Sequence, residues 1–226
     1  MPPLAVVNST VLSISQFDMN STFLTDSPLF KKIKIEGSAV TAFEILFSLF
    51  LLVVFAPLML AVVVAIKIVM PGPVFYRQVR IGQHGKKFSI LKFRTMVMDA
   101  EAKTGPVLAT KNDPRITKLG RILRASHIDE LPQLINVLKG DMAFVGPRPE
   151  RPEFVEQFER EIPLYRRRRE VRPGITGLAQ VCLPYDATAS DKINYDVFYI
   201  DNHKSVLFNV IISYYTAIKM LTFFKA

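Results

Sequence analysis

The stretch ILFSLFLLVVFAPLMLAVVVAI, residues 45–66, decides how the rest of the chain is read. It carries no charge, and at ~1.5 Å per residue it makes a helix of roughly 33 Å, enough to cross a ~30 Å hydrocarbon core. Pro57 sits near its middle, where it removes a backbone hydrogen bond and disfavours a straight helix by ~3 kcal/mol. Both flanks are basic: Lys31, Lys32 and Lys34 precede the stretch, and Lys67, Arg77, Arg80, Lys86 and Lys87 follow it. A single span normally leaves its basic flank on the cytoplasmic side only. A helix that enters the membrane, breaks at Ala56-Pro57 and returns to the same face accounts for both observations. A proline-kinked span is also allowed, because neighbouring groups re-satisfy the backbone around prolines in membrane helices. The residues by themselves leave the two open.

Around that stretch the composition is consistent with segregation of apolar from charged residues. The chain has 226 residues, a net charge of +9, 50% hydrophobic and 22% charged residues and a mean hydropathy of +0.24. The length suits one domain with an appendage. A single cysteine, Cys182, excludes an intrachain disulfide framework and a CxxC zinc site, and three histidines make a histidine-built metal cluster improbable. A basic surface beside a membrane-length segment points to anionic lipids or phosphorylated substrates before it points to nucleic acid. Residues 1–30 contain no Lys or Arg and are rich in Ser, Thr and Asn, which excludes a secretory signal and predicts a poorly ordered extension.

Downstream, residues 74–81 and 87–95 alternate like strands, with Gly82-Gln83-His84-Gly85 as the turn of a hairpin. Asp113-Pro114 is expected to open a basic helix running to about residue 125. A second helix begins near Asp129, with Leu131, Leu134, Ile135 and Leu138 on one face and Gly140 as its stop. Helical pattern returns over residues 154–169, and Pro173-Gly174 and Gly177 impose turns. Residues 206–224 are apolar except for Asn209, Ser213, Thr216, Lys219 and Thr222. That narrow polar stripe fits a helix lying in the membrane interface, with a core helix as the alternative. The expected fold is α+β: a small, mostly helical domain with a β-hairpin over residues 71–226, an anchor over 31–70 and the extension over 1–30.

Asp129 and Glu130 are adjacent carboxylates at a helix start, which Pro132 marks because proline is comfortable only in the first turn. Taken alone, such a pair caps a helix. Its surroundings suggest more. Arg115, Lys118, Arg121 and Arg124 lie upstream, and Gly140-Asp141 and Gly146-Pro147-Arg148-Pro149 lie downstream. Acidic groups set among cations are what a divalent metal and a diphosphate require together. Lys92 and Arg94 alternate on one face of the second hairpin strand and so could point into a common site. Arg166 to Arg169, with Arg172 close behind, could contact phosphate or headgroups, although they cannot all face one way on a helix. Cys182 and the histidines read as structural. Neither a P-loop nor a GxGxxG fingerprint occurs.

Three motifs carry a resemblance: FYRQVRIGQHGKKFSILKFRTM (75–96), HIDELPQLINVLKGDMAFVGPRPE (127–150) and RPGITGLAQV (172–181). Together they resemble the bacterial sugar transferase family, in its small monotopic phosphoglycosyl transferase form, over residues 31–215. The resemblance implies a minimal catalytic core on the cytoplasmic face of the bacterial inner membrane. That core would move a sugar 1-phosphate from a UDP-sugar to polyprenyl phosphate, usually undecaprenyl phosphate, and release UMP, initiating exopolysaccharide, O-antigen or glycoprotein glycan assembly. It implies Asp129 as nucleophile, Glu130 with Asp129 at Mg²⁺, and Lys92, Arg94, Arg115, Pro147, Arg148 and Pro149 around the substrate, to which the reading of the arginine run adds Arg172. It also implies a re-entrant anchor broken at a Ser-Pro pair, here Ala56-Pro57. The chain departs from the pattern there, and again near the C-terminus, where many members carry an acidic residue after Ser-x-x-Leu and the row here reads Ser205-Val206-Leu207-Phe208. Membrane lipids are expected partners and nucleic acid is not. The competing reading is a non-catalytic basic scaffold at the membrane surface, which gives no reason for Asp129-Glu130 amid that charge.

Overall fold

The computed structural model describes residues 37–102, 105, 107, 113–184 and 186–223, with backbone alone at 37–40 and 221–223. The extension expected over residues 1–30 lies outside the described residues.

The apolar stretch forms helix α1, Gly37–Val69, the one helix among the described residues long and apolar enough to cross a membrane. Its helical hydrogen bonding continues through Ala56 and Pro57, so the break expected there is corrected to a proline inside one helix. The physical reason is local. Pro57 lacks only its own N–H, which leaves one carbonyl a turn earlier without its partner, while the turns on either side keep theirs. Both ends of α1 dock on the rest of the chain. Near its start, Glu44 accepts the Phe144 N–H at 3.1 Å and Arg172 Nη2 at 2.6 Å, and the Phe47 and Phe144 rings lie 5.1 Å apart. At its end, Val62, Ile66 and Met70 are buried with Val74, Phe93 and Leu123, and Arg94 donates to the carbonyls of Met70 and Pro71. Between these docked ends Leu49, Phe50, Val53, Val54, Leu58 and Leu60 are 39–67% exposed.

Strands β1, Phe75–Ile81, and β2, Lys87–Phe93, form the expected antiparallel hairpin, pairing Phe75 with Phe93 through to Ile81 with Lys87. The turn residues His84 and Gly85 both take positive φ, of 55° and 77°. Phe88 and Ile90 of β2 bury against Val137 and Met142. Helix α2, Lys118–Ala125, is capped by Thr117, whose Oγ1 accepts the Gly120 N–H at 2.9 Å. It therefore begins later than Asp113-Pro114. A 3₁₀ segment, Ile128–Gln133, leads into α3, Leu134–Leu138, and Gly140 at φ +77° ends it as expected.

Strand β3, Ala143–Val145, pairs in parallel with β4, Gly174–Thr176. Between them the helical pattern is divided into α4, Pro152–Glu161, and a 3₁₀ segment, Pro163–Glu170. Pro163 supplies no N–H to carry α4 onward. Helices α5, Leu178–Cys182, α6, Ala189–Asn202, and α7, Val206–Phe223, complete the domain. Phe208 and Ile212 of α7 enter a core with Val145, Leu178, Tyr199 and Ile200. Part of the polar stripe of α7 is turned onto the protein. Thr216 Oγ1 lies 2.7 Å from Thr176 Oγ1, and Lys219 Nζ donates to the Gln180, Val181 and Leu183 carbonyls at 2.8–3.2 Å. One face of α7 is thus a core helix, while Val210 and Tyr214 remain exposed.

Candidate active site

Two residues past the end of α2 stands His127, a non-glycine residue at φ 56° and ψ 12°. A left-handed residue just past a helix turns the chain sharply. Here it aims the following 3₁₀ segment so that Asp129 and Glu130 fall between α2 and β2. Backbone strain of this kind gathers at functional sites.

The two carboxylates have different surroundings. Glu130 Oε1 meets Lys92 Nζ at 2.6 Å and Arg148 Nη2 at 2.6 Å. Burial would raise its pKa, but the charges of Arg148 and Lys92, and their hydrogen bonds, hold it well below the usual carboxylate range. Asp129 is 6% exposed, and among the described residues no hydrogen bond or ion pair reaches its carboxylate. Burial, reinforced by the negative charge of Glu130, pushes it up to about 6 against the pull of Lys92, Arg124 and Arg148. Burial likewise lowers Lys92, opposed by Glu130, and lowers His127. Two neighbouring carboxyls driven in opposite directions take different roles. Glu130 is the anion that gathers the two cations, and Asp129 is a buried carboxylate left uncommitted.

The sequence-designated residues divide into three groups. Asp129, Glu130, Lys92 and Arg148 come together, with Pro147 and Pro149 shaping the loop that presents Arg148. Arg115 forks onto Asp113, with Nη2 to Oδ2 at 2.6 Å and Nε to Oδ1 at 2.9 Å. Hydrogen bonds from Arg115 hold the Asp113 carboxyl down at about 2. Arg94 and Arg172 are not at the dyad, because each grips one end of α1. Three members of the arginine run are also engaged internally: Arg167 with Glu170 and Asp201, Arg168 with Asp196, and Arg169 with Glu159. Ala56 and Pro57 lie in the exposed middle of α1.

Two residues that were not designated join the site. Arg124, whose Nε donates to Thr95 Oγ1 at 2.8 Å, places its charge near Asp129. Its position in a basic helix five residues before the dyad was the available signal. Tyr76 is the cross-strand partner of Lys92, so its ring stands on the same face of the hairpin.

Among the described residues no group of three or more metal-ligating side chains occurs. Mg²⁺ asks for less: one or two carboxylates, with phosphate oxygens and waters completing its shell. A buried carboxylate without a partner, beside a second anion, fits that requirement.

The model of the bacterial sugar transferase family matches residues 36–223. The chain is 45% identical over 206 residues to a UDP-N-acetylgalactosamine-undecaprenyl-phosphate N-acetylgalactosaminephosphotransferase of Aeromonas hydrophila, covering 90% of this chain and 47% of that protein. It is 44% identical over 170 residues to a UDP-glucose:undecaprenyl-phosphate glucose-1-phosphate transferase of Xanthomonas campestris pv. campestris, covering 73% and 35%. The exopolysaccharide production protein PSS of Rhizobium leguminosarum bv. phaseoli is 41% identical over 189 residues, covering 80% and 94%. The chain spans about half or less of the first two proteins and nearly all of the third. With the matched region taking in the dyad, the hairpin and the Pro-Arg-Pro loop, the chain belongs to the bacterial sugar transferase family.

Proposed function

We propose that this chain transfers a sugar 1-phosphate from a UDP-sugar to polyprenyl phosphate, undecaprenyl phosphate being the acceptor in the names of two relatives, and so initiates polysaccharide assembly. The observation that carries this reading is the division within the dyad, where Glu130 holds Lys92 and Arg148 and leaves Asp129 uncommitted. Arg148, with its side chain 40% exposed, can turn from Glu130 to an incoming diphosphate, and guanidinium forks suit phosphate oxygens. Asp129 with Glu130 would hold Mg²⁺, which supplies a compact positive charge against the diphosphate when bound.

In the first step an Asp129 carboxylate oxygen attacks the phosphorus that bears the sugar. The bond from that phosphorus to the UMP oxygen breaks, and UMP leaves with the bonding pair. An oxygen of polyprenyl phosphate then attacks the same phosphorus, forming polyprenyl diphosphate sugar and returning Asp129 as a carboxylate. Two displacements replace one difficult transfer.

The acceptor's tail stays in the bilayer, so its phosphate is met only at the surface. The two docked ends of α1 support such a placement. One charged domain binds both Glu44 and the Met70 end, while the apolar length between them is exposed. We read this as a re-entrant anchor on the cytoplasmic face of the inner membrane, one unbroken helix whose missing hydrogen bond at Pro57 lets it curve back to that face. Cysteines engineered before Gly37 and after Val69, in a chain whose Cys182 is replaced by Ser, are expected to react with an impermeant maleimide from the cytoplasmic side only. Labelling of one of them from the opposite side would make α1 a span.

The reaction itself is tested by UMP release from the nanodisc-held protein with Mg²⁺, undecaprenyl phosphate and a set of UDP-hexoses and UDP-N-acetylhexosamines. Release is expected with at least one donor. A folded protein silent across the whole set would overturn the reading.

A further inference from the structure

The Pro-Arg-Pro loop offers a single backbone donor, since two of its three residues lack an N–H, yet all three of its carbonyls are held. Pro147 O accepts the Gly174 N–H at 3.0 Å, Pro149 O accepts Arg80 Nη1 at 3.1 Å, and Arg148 O accepts Arg168 Nη2 at 2.6 Å. The last of these has the more elaborate support. Arg168 Nε lies 3.0 Å from Asp196 Oδ2, and its guanidinium covers the Tyr165 ring at 4.8 Å. Asp196 is 3% exposed and shares the inward face of α6 with Ile193, Tyr199 and Ile200. A buried ion pair contributes little net stability compared with apolar residues of the same volume. What this pair does fix is the backbone of the residue whose side chain meets Glu130.

We infer that Arg168, held by Asp196, is a positioning residue that aims Arg148 at the dyad and at the donor's diphosphate. It touches neither the substrate nor the reacting atoms. The inference rests on the proposed reaction, in which Arg148 binds the donor.

The test is a double-mutant cycle on the full-length protein in nanodiscs. Arg168→Lys keeps the charge but cannot bridge Asp196 and the Arg148 carbonyl while covering Tyr165. It is expected to raise the donor KM by about tenfold, in keeping with the cost of small misplacements, and to leave the polyprenyl phosphate KM unchanged. Asp196→Asn should act in the same direction. Arg148→Ala keeps the carbonyl that Arg168 binds but removes the side chain being aimed. In that background Arg168→Lys should change the donor KM by less than about twofold. Losses that multiply in the double variant would overturn the inference, as would equal changes in both substrates' KM values. If both the Arg168 and Asp196 variants fail to fold, the pair is an element of the fold and the inference falls. A wild-type chain that releases no UMP with any donor defeats the proposed reaction instead, and the wild-type control separates the two failures.

Discussion

Asp129→Asn is expected to lower UMP release by a factor on the order of 10⁴, as loss of a nucleophile does, and also to raise the melting temperature of the metal-free protein. The second effect follows from the carboxyl's surroundings. Burial beside Glu130 pushes Asp129 up to about 6, whereas in the unfolded chain an aspartate titrates near ~4. A group whose pKa is raised by folding is charged more readily in the unfolded state, so above pH 6 its ionisation favours unfolding. Two pKa units correspond to roughly 2–3 kcal/mol, or several degrees in a chain of this size. An amide carries no such cost. The gain should be full at pH 8, shrink as the pH falls through 6 and vanish by about 4, where both states are protonated. Thermal melts in chelator across that range, beside a UMP assay, read both effects. If Asp129 only capped a helix, Asn would serve nearly as well and leave both activity and stability unchanged. Full turnover in the variant would sink the nucleophile assignment, and a melting gain independent of pH would sink the account of its burial.

The dyad and its cations were legible because their chemistry is local in sequence. Two carboxylates at a helix start need a reason to stand among arginines, and the Pro-Arg-Pro loop supplies a cation eighteen residues on. Side-chain direction was harder to read. The alternation that placed Lys92 and Arg94 on one face holds only within a strand, and β2 ends at Phe93. One residue beyond, Arg94 turns to the carbonyls of Met70 and Pro71. Pro57 announced a missing hydrogen bond, which is not the same as a helix end. The stripe of α7 had the right period, but periodicity does not say what a polar face meets. Lys219, although exposed, donates to the carbonyls at the end of α5. Strands β3 and β4 were invisible because three residues cannot show alternation. Their approach depends on glycine: a Cβ on Gly174 would stand 2.1 Å from the Gly146 nitrogen.

Arg172 tests the distinction between binding a substrate and holding the anchor. Its type and its place after an arginine run suit a phosphate contact, but a carboxylate 128 residues earlier takes its guanidinium. The Arg172 and Glu44 side chains are 21% and 11% exposed, so the pair is largely out of water. Removing one member strands the other: Arg172→Met is expected to destabilise the protein by about 3 kcal/mol, near the lower end for broken buried pairs. The melting temperature should fall by on the order of 10 °C, and activity should fall with it as α1 loosens from the domain. Adding Glu44→Gln should then restore both. The glutamine Oε1 can still accept the Phe144 N–H that Glu44 accepts at 3.1 Å, and no buried charge remains unpaired. Replacing a buried pair by neutral groups of similar volume is often neutral or stabilising. A phosphate-binding arginine would behave differently, since no change at residue 44 can return a lost cation to a diphosphate. Recovery of both melting temperature and UMP release in the double variant therefore assigns Arg172 to the anchor. Recovery of the melting temperature alone would return it to the substrate.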